Sequence, residues 1–209
     1  MDIDMAKIQA IISQTQKRAG LERICVISSL GIPVVSVGMD LDLGVQARTI
    51  FSVFDRACSM LHLGDTEHVC IDGRNRAFIV KPLRRDDKVI MWFVAVAPTF
   101  GGTGVFSVVD QSTALQVTAT EVTGAVPTGV DEAEVISATM ALWSVLPMLE
   151  EKVNLGETNG VYLDGTDGRI VVRQSGPECW SVAFPAKERR TGRVDVELDR
   201  AALTLLEVL

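Results

Sequence analysis

Residues 63–73 read Leu-Gly-Asp-Thr-Glu-His-Val-Cys-Ile-Asp-Gly, and residues 155–165 read Leu-Gly-Glu-Thr-Asn-Gly-Val-Tyr-Leu-Asp-Gly. The two stretches lie 92 residues apart and align without an insertion, and an apolar run follows each of them, at 78–80 and 170–172. A repeat of this length is too long for a solenoid unit of roughly 20–50 residues. The sequence therefore predicts two copies of a small α/β module.

Hydrophobic periodicity predicts the elements of the first copy. An amphipathic helix ends at Gly20, and Gly31 and Ile32 separate two runs rich in Val and Ile at the spacing of a hairpin. Charged and polar turns separate three further apolar runs. The predicted elements are a helix over 4–19, strands over 23–30 and 33–39, a helix over 45–63, and strands over 67–71, 76–82 and 88–97.

The second copy repeats this order of elements. Pro147 lies deep inside its long helix and should kink or split it, because proline lacks a backbone donor. The fold class is thus α/β (α+β), with two modules that each pack one long helix on a five-stranded antiparallel sheet. The first copy lacks a closing helix in this scheme, and the second lacks an opening one. The predicted elements of the second copy are strands over 105–109 and 114–122, a helix over 130–153, strands over 160–163, 169–173 and 178–185, and a closing helix over 198–209.

The two long helices are apolar over most of their circumference. A single sheet beneath such a helix cannot cover it, so each needs a second apolar neighbour, most simply the other helix. The residues expected to pair the modules are Phe51, Phe54 and Cys58 on the first helix, and Trp143 and Leu146 on the second.

These elements resemble two tandem copies of the roadblock/dynein light chain family. The resemblance is good over 4–98 and weaker over 104–209. It rests on the hairpin over 24–39, the helix over 45–63, the Leu63-Gly64 turn and the strand pair over 67–82.

Modules of this family pair with their sheets edge to edge and their long helices side by side. The resemblance therefore implies an intramolecular pseudo-dimer, and pairing between chains is the alternative. The domains that follow are a first module over 1–98, a linker over 99–104 and a more divergent module over 105–209.

The composition favours a folded protein of the cytoplasm. Apolar residues make up 47% of the chain, and the net charge of −7 argues against nucleic-acid binding, which needs clustered cations. The four cysteines form no Cys-x-x-Cys pair, as is typical of reduced packing residues. No apolar run approaches the roughly 18 residues of a membrane span, so no direct membrane insertion is expected.

Neither a metal site nor a catalytic centre is predicted. His62 and His68 have no second ligand at metal-binding spacing. The glycines of 101–104 lack the Lys-Ser/Thr pair of a phosphate loop and are typical of a linker. Asp72-Gly73 and Asp164-Gly165 are interpreted as hairpin turns with both carboxylates in water. We therefore expect no cofactor and no enzyme activity.

One polar stripe remains on the helix over 45–63, made of Arg48, Ser52, Asp55, Arg56 and Ser59. The simplest interpretation is that this stripe faces solvent. The family resemblance implies a second interpretation, in which the stripe binds a partner, because roadblock dimers are scaffolds and regulators of small Ras-like GTPases. The chain would then be a non-enzymatic scaffold or regulator that binds such a GTPase through the paired helices. The alternatives are a small-molecule-sensing domain and an assembly scaffold without a GTPase partner. A homo-oligomer is compatible with each of these functions, the GTPase regulator included.

Overall fold

The computed structural model describes residues 4–39, 41–99, 114–185 and 193–208. These residues form five helices and ten strands. The helices are α1 (Met5–Ala19), α2 (Leu41–Met60), α3 (Glu132–Ser144), α4 (Leu146–Val153) and α5 (Arg193–Leu206). The strands are β1 (Arg23–Ser28), β2 (Pro33–Val37), β3 (Thr66–Gly73), β4 (Arg76–Arg85), β5 (Lys88–Pro98), β6 (Leu115–Val117), β7 (Val122–Thr123), β8 (Thr158–Gly165), β9 (Arg169–Gly176) and β10 (Cys179–Ala183).

The ten strands form one sheet in the order β2-β1-β5-β4-β3-β8-β9-β10-β6-β7. When the strands are numbered within each predicted copy, both halves of this order, followed from the outer end to the middle, run second, first, fifth, fourth and third. The two copies of the repeated motif lie on β3 and β8, which pair antiparallel within the chain. The predicted fold class, a mixed α/β protein with antiparallel strands, is confirmed.

The chain divides into two compact units, and the first contains 1–49, 79–98 and 188–209. Its strand β1 pairs with β2 on one side and β5 on the other, and it is buried because Ile24 through Ile27 are almost fully covered. Helix α1 begins at Asp4, whose carboxylate accepts the Lys7 N–H, and ends at left-handed Gly20, as predicted.

The C-terminal helix α5 also belongs to the first unit, where it packs against α1. An ion pair between Lys81 and Asp199 ties α5 to β4, and the Arg85 guanidinium donates to the Leu206 carbonyl over 2.8 Å. The expectation that the first copy lacks a closing helix is therefore wrong, because the far end of the chain supplies one.

The second unit contains 50–78 and 99–187. Its sheet runs from β3 through β8, β9 and β10 to β6 and β7. The predicted break at Pro147 is confirmed, since α3 ends at Ser144 and α4 begins at Leu146. Both helices bury an apolar face, which includes Val135, Leu142 and Leu149.

Two predictions about the start of the second copy have different outcomes. The single strand over 114–122 is wrong, because β6 and β7 are separate strands joined by a turn in which the Thr118 N–H donates to the Glu121 carbonyl. The strand over 105–109 lies outside the described residues, as does most of the linker over 99–104. The domain boundaries drawn there remain a prediction.

One helical stretch, Glu132–Val153, is long and apolar enough to cross a membrane by length and composition alone. A buried core helix of a water-soluble domain meets the same criteria, and α3 and α4 together supply this stretch.

Candidate functional site

The two copies of the motif exchange backbone hydrogen bonds at the β3–β8 junction. The Asp167 N–H donates to the Leu63 carbonyl, and the Asn75 N–H donates to the Leu155 carbonyl, both over 2.9 Å. The Leu-Gly turn of each copy is therefore hydrogen-bonded to the hairpin turn that follows the Asp-Gly pair of the other copy. The next residues repeat this exchange, with bonds from Thr166 N–H to the Asp65 carbonyl and from Arg74 N–H to the Glu157 carbonyl.

The glycine of each Asp-Gly pair makes this exchange sterically feasible. A Cβ atom on Gly165 would meet the Leu63 carbonyl, and one on Gly73 would meet the Leu155 carbonyl, in both cases closer than real Cβ atoms approach. The repeat thus preserves two glycines whose missing side chains let the two copies come together.

The aspartates of the same pairs are buried, which corrects the expectation that they face water. Asp72 is 0% exposed and accepts a hydrogen bond from the Thr99 hydroxyl over 3.2 Å. Asp164 is 5% exposed and is held by the Arg169 guanidinium, with Nε 2.5 Å from Oδ1. His68 Nδ1 lies 3.8 Å from Asp164 Oδ2 across the junction. Paired burial of this kind makes the two carboxylates structural groups.

A second repeated contact attaches each long helix to the strand that carries the motif. The Thr66 hydroxyl donates to Asp55 on α2 over 3.0 Å, and the Thr158 hydroxyl donates to Glu150 on α4 over 2.9 Å. Asp55, which the sequence assigns to a partner surface, thus also has a structural role.

The structure exposes every residue of the predicted polar stripe, namely Arg48, Ser52, Asp55, Arg56 and Ser59. The stripe follows the solvent face of α2, as the helical spacing predicts. Ser52, Asp55, Arg56 and Ser59 lie in the second unit, and Arg48 lies in the first.

Arg48 supports the β1–β2 hairpin. Its Nη1 donates to the Leu30 carbonyl over 3.2 Å, and its side-chain carbons lie 3.2 Å from where a Cβ of Gly31 would stand. The guanidinium is therefore partly committed to its own unit.

A cleft of about 480 Å³ lies at the C-terminal end of the stripe. Three carboxylates line it, from Asp55 on α2, Asp65 in the turn before β3 and Asp167 in the β8–β9 hairpin. Ser59, His62 and Gly64 complete the lining. The motif exchange described above brings Asp65 and Asp167 together, although 101 residues separate Asp65 from the Thr166 hydroxyl that its N–H contacts. This arrangement produces an acidic, solvent-filled depression.

The cleft is bordered by the beginning of α3. His62 Nε2 lies 4.0 Å from Glu134 Oε2, and both side chains are well exposed to solvent. Glu134 also completes the capping box of α3, because it accepts the Asp131 N–H. The end of α2 and the start of α3 therefore lie close together within the second unit.

The residues expected to pair the modules are mostly buried. Phe51, Phe54, Cys58 and Leu146 are at most 4% exposed. Trp143 is half-buried, and its ring forms an edge-to-face contact with Trp180 on β10 at 6.0 Å between centroids. That α2 and the α3–α4 pair cover each other remains a prediction.

Burial perturbs two of the free cysteine thiols, Cys58 on α2 and Cys25 on β1. Burial raises the pKa of the Cys58 thiol to about 12, nearby carboxylates such as Asp55 add to this, and a hydrogen bond with Thr66 acts in the opposite direction. Burial also raises the pKa of the Cys25 thiol to about 12. Both groups are protonated at neutral pH, so neither is a candidate nucleophile.

A second cleft, of about 300 Å³, lies on the sheet face formed by β6, β9 and β10. The Gln116 amide is at its centre, since it donates to Ser181 over 3.0 Å and accepts from Ser175 over 3.1 Å. Burial lowers the pKa of the Arg173 guanidinium, while Tyr162 and Asp72 act in the opposite direction. The lining consists of Ala114, Gln116, Val171, Arg173, Gln174, Ser175, Ser181 and Ala183.

Among the residues that the structure describes, no group of three or more His, Cys, Asp and Glu side chains could hold a metal ion.

The structural matches between this chain and known proteins are distant. No protein-family model and no curated protein sequence matches the chain. The chain is similar to Myxococcus xanthus MglB, at 10% identity and a TM-score of 0.41, over 71% of this chain and 94% of that one. It is also similar to the extracellular domain assigned to the histidine kinase vpHK1S-Z8, at 10% identity and a TM-score of 0.29, over 84% of this chain and 74% of that one. At these values neither match assigns a partner, a ligand or an activity.

Sequence reasoning found the stripe and missed both clefts. Asp65 and Asp167 lie in turns of different copies, and Gln116 and Arg173 lie on strands far apart in the chain. Both copies of the motif contain a Leu-Gly and an Asp-Gly pair, but the repeat by itself does not indicate that these turns touch.

Proposed function

We propose that this chain is a cytoplasmic, non-enzymatic scaffold or regulator that binds a small Ras-like GTPase. The binding surface is the exposed stripe of α2 together with the acidic cleft at its end. The observation that carries this proposal is the uninterrupted exposure of Ser52, Asp55, Arg56 and Ser59 on a helix whose other face is buried. The resemblance of the sequence to roadblock modules supplies the class of partner.

The charges of this surface indicate what the partner presents. The cleft gathers three carboxylates, and Arg56 is the exposed cation one turn from Ser59. A complementary partner therefore places lysine or arginine in the cleft and an acidic group opposite Arg56. Contacts between exposed charges mainly set specificity and association rate, which fits a reversible complex.

The residues of the stripe do not contribute equally. The side chains of Arg56 and Ser59 have no hydrogen-bond or ion-pair partner among the described residues, so a partner can use them without breaking an internal contact. Asp55 already receives the Thr66 hydroxyl, and Arg48 supports the hairpin at Leu30. Arg56 is therefore the residue whose substitution tests binding with the least structural disturbance.

Reversing the charge of Arg56, with Arg56→Glu, is expected to weaken GTPase binding about tenfold, which is about 1.4 kcal/mol. The melting temperature should hardly change, because exposed substitutions usually alter stability by less than about 0.5 kcal/mol. The GTPase is first captured from native lysate with GDP or a non-hydrolysable GTP analogue, then purified and titrated by calorimetry.

Arg18→Glu is the matched control, because Arg18 is an exposed arginine on α1 and its reversal changes the net charge equally. Equal weakening by both variants would mean that binding responds to overall charge and not to this surface. Failure to recover any GTPase in either nucleotide state would overturn the proposal.

A second candidate function is small-molecule sensing, and the cleft around Gln116 favours it. Ligand sites combine a concave, largely apolar lining with a few convergent polar groups. Here Ala114, Val171 and Ala183 are the apolar part, and the amides, hydroxyls and one guanidinium are the polar part. The matching ligand is a small acid with hydrogen-bonding groups.

Under this second function, a ligand at about 100 times its dissociation constant should stabilise the protein by about 2.7 kcal/mol. Malonate, citrate, inorganic phosphate and adenosine monophosphate are the probes, and thermal unfolding is the measurement. Gln116→Ala should abolish the shift, and Gln14→Ala, an exposed glutamine on α1, should leave it intact. A panel that leaves the wild-type melting temperature unchanged argues against this function.

A further inference from the structure

The first unit leaves one edge of its sheet open. Strand β2 (Pro33–Val37) pairs with β1 on one side, and no described residue pairs with it on the other. An edge strand presents a row of backbone N–H and C=O groups that can pair with another strand.

Within the described residues, helix α1 packs against β2, but the edge of this strand has no charge to oppose pairing. Natural proteins shorten such strands or place charges on them. Strand β7, at the other end of the sheet order, has two residues and directly follows Glu121. In contrast, the chain from Ile24 to Met39 contains no charged residue. Pro33 removes one backbone donor at the start of β2, and the rest of the strand is open to pairing.

Two aliphatic side chains extend this surface. Leu30 is 65% exposed and Ile32 is 60% exposed, although both are large and apolar. The hairpin tip that carries them is fixed, because the N–H groups of both residues donate to the Ser28 hydroxyl, over 3.3 and 3.2 Å. Presenting apolar groups on a rigid tip reduces the conformational entropy that binding would remove.

We infer that the β2 edge is a homodimer interface, in which β2 of one protein molecule pairs antiparallel with β2 of a second molecule. Antiparallel pairing of a strand with itself has two-fold symmetry, so each hydrogen bond made by an outward-facing backbone group of one molecule is repeated by the same group of the other. The chain carries a net charge of −7, so two molecules repel over most of their surfaces. They meet with least repulsion along the uncharged segment 24–39. The exposed Ile32 of each molecule then lies beside the Val37 end of β2 in the other molecule.

This interface does not rest on the proposed function. It meets the α2 stripe only at Arg48, which donates to the Leu30 carbonyl, and it is separate from the acidic cleft. Sedimentation velocity of the purified full chain tests it directly, at loading concentrations from about 1 to about 100 µM. The expected result is a species of twice 22.6 kDa that dissociates on dilution. A wild-type chain that stays monomeric over this range would overturn the inference.

Val34→Lys is expected to raise the dimer dissociation constant at least tenfold, because a charge on an edge strand opposes edge pairing. Val34 is half-exposed, so the variant should fold, and circular dichroism checks that it does. Leu203→Lys is the control, since it puts the same charge at an exposed leucine of α5. The double variant Leu30→Ser/Ile32→Ser changes only exposed side chains and gives a second test that does not depend on β2 itself.

Hydrogen exchange locates the contact. Amides of 34–37 should exchange more slowly at about 100 µM than at about 1 µM in the wild type, and equally fast at both in Val34→Lys. A dimer that persists in Val34→Lys and dissociates in Leu203→Lys would place the interface on α5 and overturn the inference. The inference would also be overturned if the amides of 34–37 were protected from exchange only after another protein is added, and not by self-association.

Discussion

Replacing Gly165 with alanine is expected to destabilise the protein by about 3 kcal/mol, at the upper end of the usual range for overpacking. The new methyl group would point at the Leu63 carbonyl, closer than real Cβ atoms come. That carbonyl belongs to the backbone and already accepts the Asp167 N–H, so it cannot turn away without losing a hydrogen bond. Relief requires β3 and β8 to separate, and these strands are the junction between the two copies. Chemical denaturation followed by circular dichroism measures the change in unfolding free energy.

The controls for this prediction come from the same sheet. Gly176→Ala places a methyl group 3.9 Å from the Cys179 Cβ, an ordinary contact, and should change stability by less than about 0.5 kcal/mol. Gly73→Ala should behave like Gly165→Ala, because its methyl group would meet the Leu155 carbonyl. Wild-type stability of both Gly73→Ala and Gly165→Ala would show that the interlocked turns do not exist in solution.

The repeat allowed the architecture to be predicted but not the interlocking of its turns. Aligning the two copies equates Gly73 with Gly165 and Leu63 with Leu155. The contacts in the fold join non-equivalent positions, the leucine of one copy with the glycine of the other. An alignment of a repeat identifies equivalent residues, and it says nothing about which non-equivalent residues meet in the fold.

The burial of Asp72 and Asp164 shows a limit of local pattern reasoning. Asp-Gly between two strands is typical of a solvated hairpin turn, and the local sequence contains no contrary signal. Their partners, Thr99 and Arg169, supply the hydrogen bonds that make burial of a carboxylate tolerable. Of these, Thr99 is 27 residues away from Asp72 along the chain.

The position of α5 could not be read from the sequence for a related reason. Its amphipathic pattern predicts that one face is buried, and Leu198, Ala201 and Leu205 are indeed covered. The pattern does not specify which sheet or helix covers them, because an apolar stripe packs on any complementary surface. Proximity in the chain suggested the second copy, and the helix packs against α1 of the first unit.

The candidate site, too, was only partly predictable from the sequence. The stripe on α2 follows from helical spacing alone, so Ser52, Arg56 and Ser59 could be named in advance. The cleft next to it depends on turns that are brought together only by the β3–β8 pairing. Its acidic character, and therefore the charge expected of the partner, becomes visible only in the folded chain.

Replacing Phe54 with aspartate is expected to prevent stable folding, with a loss of at least about 4 kcal/mol from the removed aromatic volume and the buried charge. Phe54 is 0% exposed, so water cannot reach the new carboxylate without disruption of the packing around α2. Burial should raise the pKa of the new carboxyl group in the folded state above its unfolded value of about 3.9. The destabilisation relative to wild type should therefore be smallest near pH 4 and should grow as the pH rises towards the raised pKa.

Two further variants separate charge from volume at this position. Phe54→Leu keeps an apolar side chain and should cost less than Phe54→Asp at every pH, with a loss that does not change between pH 4 and pH 7. Trp143→Asp should be milder than Phe54→Asp, because Trp143 is only half-buried and its carboxylate could reach solvent. Urea denaturation at both pH values gives the comparison. A soluble Phe54→Asp protein that unfolds like wild type at pH 7 would reject the buried position of Phe54, and with it the requirement that α2 be covered on more than one side.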